Sequence, residues 1–129
     1  MRLLILLFLP FFLESQINWT KKELPNYENI YSELISEDSL QSTFFIAINK
    51  NVSHHFHKEH SECIVILSGK AKMLLGKQKI KLQAGMQVSI PKNTVHSVIV
   101  TSRKPLRVIS VQSPKFDGKD RHFVEWYDF

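Results

Sequence analysis

Of 129 residues only one, Cys63, is a cysteine. A lone thiol closes no intramolecular disulfide and anchors no Cys-rich zinc site, which excludes a disulfide scaffold and a zinc finger. No apolar stretch reaches the roughly 20 residues that a membrane-spanning helix needs, because residues 3–13 give only eleven, interrupted by Pro10. Acidic residues are missing altogether between Glu62 and Asp117. In that interval lie ten basic ones: Lys70, Lys72, Lys77, Lys79, Lys81, Lys92, Arg103, Lys104, Arg107 and Lys115. No aromatic interleaving and no recognition motif accompanies them, so a nucleic-acid partner is not expected. Apolar spacing of period 3.6 is absent after the first segment, which leaves little helix, and there is no internal repeat or low-complexity tract.

What is present begins at the N-terminus. Met1-Arg2 supplies a short positive start, the apolar run has the length of a signal-peptide core, and the small Ser15 stands where cleavage would fall. The expectation is a signal peptide over residues 1–15, removed on export to the periplasm or outside the cell. The competing reading is a buried N-terminal strand or helix. No cysteine follows the run, so a lipoprotein anchor is not expected. Cleavage would remove Arg2 and Glu14 together and leave the net charge at +5.

Residues 16–41 are mixed, with Trp19, Tyr27 and Tyr31 among polar neighbours, and predict an arm that docks on the main body, with a short strand or helical turn. The domain proper is expected over residues 42–129. Apolar runs at 42–48, 52–57, 62–67, 71–75, 79–82, 87–90, 96–101 and 106–112 are separated by turn residues such as Gly76, Gly85 and Pro91-Lys92-Asn93. Short strands at this spacing predict an all-β protein, an antiparallel jelly-roll barrel. Lys77, Lys79 and Lys81 alternate with Gln78, Ile80 and Leu82 and so line one solvated strand face. That face keeps the sheet soluble or, in the functional reading, draws anions. The tail ends in Phe123, Trp126, Tyr127 and Phe129, enough aromatic area to pack on the body.

Histidine is the unusual residue: four of six, His54, His55, His57 and His60, fall within seven positions. On a strand, His55 and His57 share one face and His54 and Phe56 the other. A turn then leads to Glu62, whose face holds Ile64 and Ile66, while Cys63, Val65 and Leu67 take the opposite one. With the histidines inward, His55, His57 and Glu62 converge, a set suited to a divalent first-row metal. A fourth ligand must come from far along the chain, from His96 or from the less constrained His122. His54 and His60 are expected to face solvent or to support the ligands from behind. Cys63 is expected to be a small buried apolar residue.

The run His55-Phe56-His57, four residues, Glu62, six residues, Gly69 is similar to the first motif of the cupins. Gly85, five residues, Pro91-Lys92-Asn93, two residues, His96 is similar to the second. The chain therefore resembles a small single-domain cupin across residues 42–112. The resemblance implies a metal held by His55, His57, Glu62 and His96. Three positions depart from the pattern: Asn49 and Asn93 replace glycines, where asparagine tolerates left-handed geometry, and Val100 replaces an asparagine. The segment 113–120 also resembles the tail of many small cupins.

Three imidazoles and a carboxylate leave two positions of an octahedral ion open for a small molecule. The resemblance implies one divalent transition metal per chain (manganese, iron, nickel, copper or zinc). It also allows dioxygenase, decarboxylase or isomerase chemistry on a small anionic or carbonyl compound. A non-enzymatic module that binds a small ligand or sugar is the alternative, and fold alone decides neither. Glu59 is the one obvious carboxylate near the motif that could move protons, and Ile64, Ile66, Val98 and Met73 are expected to give the pocket apolar walls. The outer stripes Cys63-Val65-Leu67 and Ile99 need a cover, either the arm or a second copy, and the resemblance favours a homodimer.

Overall fold

The computed structural model describes residues 16–125; the expected signal segment and the last four residues of the aromatic tail lie outside the described residues. Ten strands form two five-stranded antiparallel sheets. The first runs in the order β1 (Ile30–Glu37), β2 (Ser42–Ile48), β9 (Leu106–Ser113), β4 (Ser61–Ser68), β7 (Gln87–Ile90). The second runs β10 (His122–Phe123), β3 (Asn51–Phe56), β8 (His96–Val100), β5 (Lys70–Leu75), β6 (Gln78–Gln83). Among the described residues there is no helix, and none is long and apolar enough to cross a membrane. The architecture is the antiparallel jelly roll that the spacing of apolar runs predicts.

Strand parity places the core. Ile64 and Ile66 of β4, Leu106 and Val108 of β9, Met73 of β5 and Val98 of β8 point between the sheets and are buried. On the other face Lys72 of β5 and Lys79 and Lys81 of β6 are all exposed, whereas Leu74 of β5 and Ser97 of β8 are buried. Turn chemistry holds the register. Gly69 sits at φ 86°, and a Cβ there would lie 2.6 Å from the Pro105 carbonyl oxygen, so β4 can turn into β5 at this point only through glycine. Asn93 takes the left-handed conformation, φ 58°, that its place in the second motif asks of it. Asn49 does not; its side-chain amide instead donates to the carbonyls of Tyr27 and Glu28 and ties the β2–β3 turn to the arm.

The arm is a strand for eight of its residues. β1 pairs with β2 from Ile30↔Ile48 to Glu37↔Ser42 and extends the first sheet. The residues before it cross the outer face of that sheet. The Trp19 ring stacks on Phe45 with centroids 5.0 Å apart, and the Arg107 guanidinium donates to the carbonyls of Thr20 and Lys22, both at 2.9 Å. Phe45 and Ala47 are thereby fully buried on a face that would otherwise meet water. The arm covers β2 and not the stripe on β4: Val65 is 38% exposed, and Ile99 on the other sheet 61%.

Candidate metal centre

β3 and β8 bring the histidines together. The two strands pair His55 with His96, and a register shift in β3 between Val52 and His55 precedes the pair. His57 follows at the end of β3, on the same face. One donor atom from each of His55, His57 and His96 lies within 4.8 Å of the other two, and all three residues are buried. Two donors each about 2.1 Å from a shared ion are separated by at most about 4.2 Å, so small side-chain movements suffice. Glu62, on β4 of the facing sheet, completes the group. Its Oε2 is 3.4 Å from His57 Nε2 and 3.7 Å from His96 Nε2.

Each imidazole is oriented from behind. Nδ1 of His55 lies 2.8 Å from the Ser53 carbonyl, Nδ1 of His57 2.6 Å from that of Asp120, and Nδ1 of His96 2.9 Å from that of Thr94. A carbonyl oxygen only accepts, so each Nδ1 carries the hydrogen and each Nε2 keeps a lone pair. Nε2 of His57 and of His96 are buried and have no hydrogen-bond partner. Orphaned buried acceptors are costly, and a cation is the natural partner for two that face a carboxylate. The group fits a divalent metal on its donor chemistry.

The electrostatics agree. Burial, together with the neighbouring His96, pushes His55 down to about 3, so it is neutral and able to ligate. Burial also works against charging His57, but Glu62 and the Asp120 carbonyl hold its imidazole above the ordinary value. Burial would raise Glu62; the close approach of the His57 and His96 imidazoles and the hydrogen bond from Ser110 outweigh it and keep the carboxyl well below the usual carboxylate range. Glu62 is thus an anion in a buried place, which favours a positive charge among these donors.

Behind the cluster the lumen holds a cavity of about 120 Å³, whose walls include Ile64, Met73 and Val98, as expected, and Ile30 and Ser32 of the arm. Ile66 packs deeper in the core and does not line it. Glu59 is exposed and does not line the cavity.

Other expectations are narrowed or corrected. Of the two places expected for His60 the structure gives the one behind the ligands: it is 1% exposed, stacks on the His57 ring at 4.1 Å, and its Nδ1 lies 2.8 Å from Asp120 Oδ2. Cys63 is half-buried on the outer face, where Gln87 Nε2 approaches its sulfur at 3.1 Å. His122 stays apart from the cluster, its ring on Phe56 and its Nε2 3.2 Å from Asp120 Oδ1.

Three supporting residues escaped the sequence reading. The Asp120 carboxylate accepts the backbone N–H groups of Lys58, Glu59 and His60 and so closes the turn between His57 and Glu62. The donors of His57, His60 and Asp120 also lie within 4.8 Å of one another, with the carboxylate oxygens taken up by these N–H groups, by His60 and by His122. Ser110 donates to Glu62, and Gln112 donates to Ser110 at 3.2 Å. A signal for this last pair existed, since both occupy inward positions of β9 after Leu106 and Val108.

Comparison with known proteins bears on the whole chain. An uncharacterized protein of Aquifex aeolicus (strain VF5) is 31% identical over 121 residues, 94% of this chain and 99% of that one. A Klebsiella pneumoniae protein with a double-stranded β-helix domain superposes with a TM-score of 0.71 at 19% identity, over 88% of this chain and all of the other. A Streptomyces nucleoside dehydratase superposes at 0.68 and 14% identity, over 89% and 94% of the two chains. At such identities the structural likenesses speak for the fold alone. The cupin-domain family matches residues 44–112, the stretch that carries both histidine motifs, and the chain belongs to that family.

Proposed function

We propose that His55, His57, Glu62 and His96 hold one divalent transition ion and that a small anionic or carbonyl compound binds over it in the lumen cavity. The observation that carries this reading is the pair of buried, unpartnered Nε2 atoms of His57 and His96 set against an ionised Glu62. A bound ion would polarise a ligand oxygen and stabilise negative charge developing there. The chain's own part is to fix the imidazoles through three backbone carbonyls, hold Glu62 through Ser110, and exclude water with apolar walls. Metal analysis tests the assignment. The wild type should carry about one ion per chain and His54→Ala should keep it, whereas His57→Ala should lose it. Equal retention by the two variants would refute the inward assignment.

A second reading, a binding module without turnover, is favoured by one observation: the only carboxylate among the cavity-lining residues is Glu62. The metal discriminates. A redox ion with exchangeable water and oxygen uptake on small carboxylic acids or diols supports an enzyme, and zinc without turnover supports the module. Two further proposals accompany the site. The N-terminal run directs export, so protein recovered from cells should begin near Gln16. The β4 stripe, with Val65 at its centre and Ile109 and Val111 beside it on β9, pairs with a second copy about a two-fold axis. Sedimentation should give a dimer at micromolar concentration that Val65→Lys dissociates, and a monomeric wild type would refute it.

A further inference from the structure

The lumen cavity has one cationic side chain in its wall, Arg121, and the metal proposal does not use it. It arrives from the stretch that braces the His57 turn: Asp120 immediately before it is held by three backbone N–H groups, and β10 after it is paired to β3. Arg121 is therefore anchored on both sides; the residue is exposed and lines the cavity from the edge that meets water. Among the described residues it forms no salt bridge, although the adjacent carboxylate of Asp120 is near. The rest of the wall is apolar except for Ser32 and the cluster itself.

A guanidinium that has no ion-pair partner among the described residues and stands at the water-facing edge of a small apolar space is a recognition element for a carboxylate, which it can engage with two parallel N–H donors. We infer that Arg121 reads the anionic end of the ligand, and that the ligand is a small monocarboxylate with a second oxygen donor on the adjoining carbon. The inference deepens the proposed function and rests on it for the second oxygen, which would face His55, Glu62 and His96. Size supports the class. The cavity, about 120 Å³, is smaller than the ~150 Å³ that admits benzene, which limits the part of the ligand inside the lumen to roughly five or six non-hydrogen atoms. A bulky sugar acid or a nucleotide exceeds it.

Calorimetric titration with pyruvate and with its uncharged analogue hydroxyacetone tests this, on metal-loaded and on metal-stripped protein. Wild type should bind pyruvate at least about 10-fold more tightly than hydroxyacetone, with the preference falling as salt is raised. Arg121→Gln should keep its metal and lose about 10- to 100-fold in pyruvate affinity, the range for a charged hydrogen bond, while hydroxyacetone binding stays unchanged. Arg121→Lys should recover part of the loss. Pyruvate binding by Arg121→Gln equal to wild type, or no preference for pyruvate in wild type, overturns the inference. Failure of the metal reading looks different: no ion is retained, while the stripped protein still prefers pyruvate through Arg121.

Discussion

The two ends of the lumen are built from the same strands and differ in almost everything else. On β4 the inward residues are Glu62, then Ile64 and Ile66; on β9, running the other way, they are Gln112 and Ser110, then Val108 and Leu106. On β8 His96 gives way to Val98, and on β3 the order is Val52, then His55. Polar thus gives way to apolar along four strands of two sheets, one inward position later on β9, where Ser110 stands opposite Ile64, than on β4. The apolar end is packed with Ile66, Leu82, Val88 and Leu106 and needs no partner. The polar end leaves acceptors buried without one. Side-chain parity decides what faces the lumen, and height along the barrel decides whether it stabilises the fold or binds something. The difference implies that damage to one end should be felt as lost stability, and damage to the other as lost ligand.

The largest effect expected of a stability variant is at the apolar end. Leu82→Ala removes a side chain that is 2% exposed and leaves a cavity, at a cost of about 2–5 kcal/mol. Thermal unfolding should show a Tm lower by about 10–20 °C. The folded fraction should retain the metal stoichiometry of wild type. Loss of metal in proportion to loss of stability would mean that the two ends are one cooperative unit, and the contrast would fall.

Asp120→Asn tests the boundary between the ends, because Asp120 shapes the site yet makes a structural contact. Burial would raise the Asp120 carboxyl, but the N–H groups of Lys58, Glu59 and His60 hold it far below its ordinary value. A depressed folded pKa gives stability that is present above the unfolded value, about 4, and is lost as pH falls through the folded one. Urea unfolding at pH 7 should show Asp120→Asn weaker by about 1–3 kcal/mol. At pH 3 the gap should be narrower. A gap independent of pH would assign the residue's effect to shape and not to charge.

These residues also mark how far the sequence could be read. The limits of β2 to β9 match the apolar runs to within a residue or two because alternation and turn residues are local signals; parity puts His55 and His57 on one face, but which face turns inward, and that Glu62 and His96 join it, came with the resemblance to the cupin motifs. Asp120 could not be found this way. It meets Lys58, Glu59 and His60 only because the chain returns some 60 residues later, and nothing local to a Lys-Asp-Arg stretch marks a carboxylate that caps a distant turn. The choice between the two places open to His60 could not be made locally either, since its burial depends on Asp120 and on Phe116 packed against its ring. The arm's aromatics suggested docking, but which face they cover depends on the Trp19–Phe45 stack and on Arg107, contacts of long range.

The smallest effect lies outside the lumen and serves as its control. Lys72 of β5 stands directly opposite Lys81 of β6 on the solvated face, in the basic interval between Glu62 and Asp117. Like charges at paired positions repel, and the reversal Lys72→Glu turns the pair attractive. The gain should be about 0.2–1 kcal/mol in urea unfolding at low salt, and should shrink as salt is raised, because both side chains are in water. Metal content should stay that of wild type, as the substitution faces away from the histidines. A change in metal content with Lys72→Glu would mean that the outer charge of the second sheet reaches the lumen, and that height along the barrel does not by itself separate fold from site.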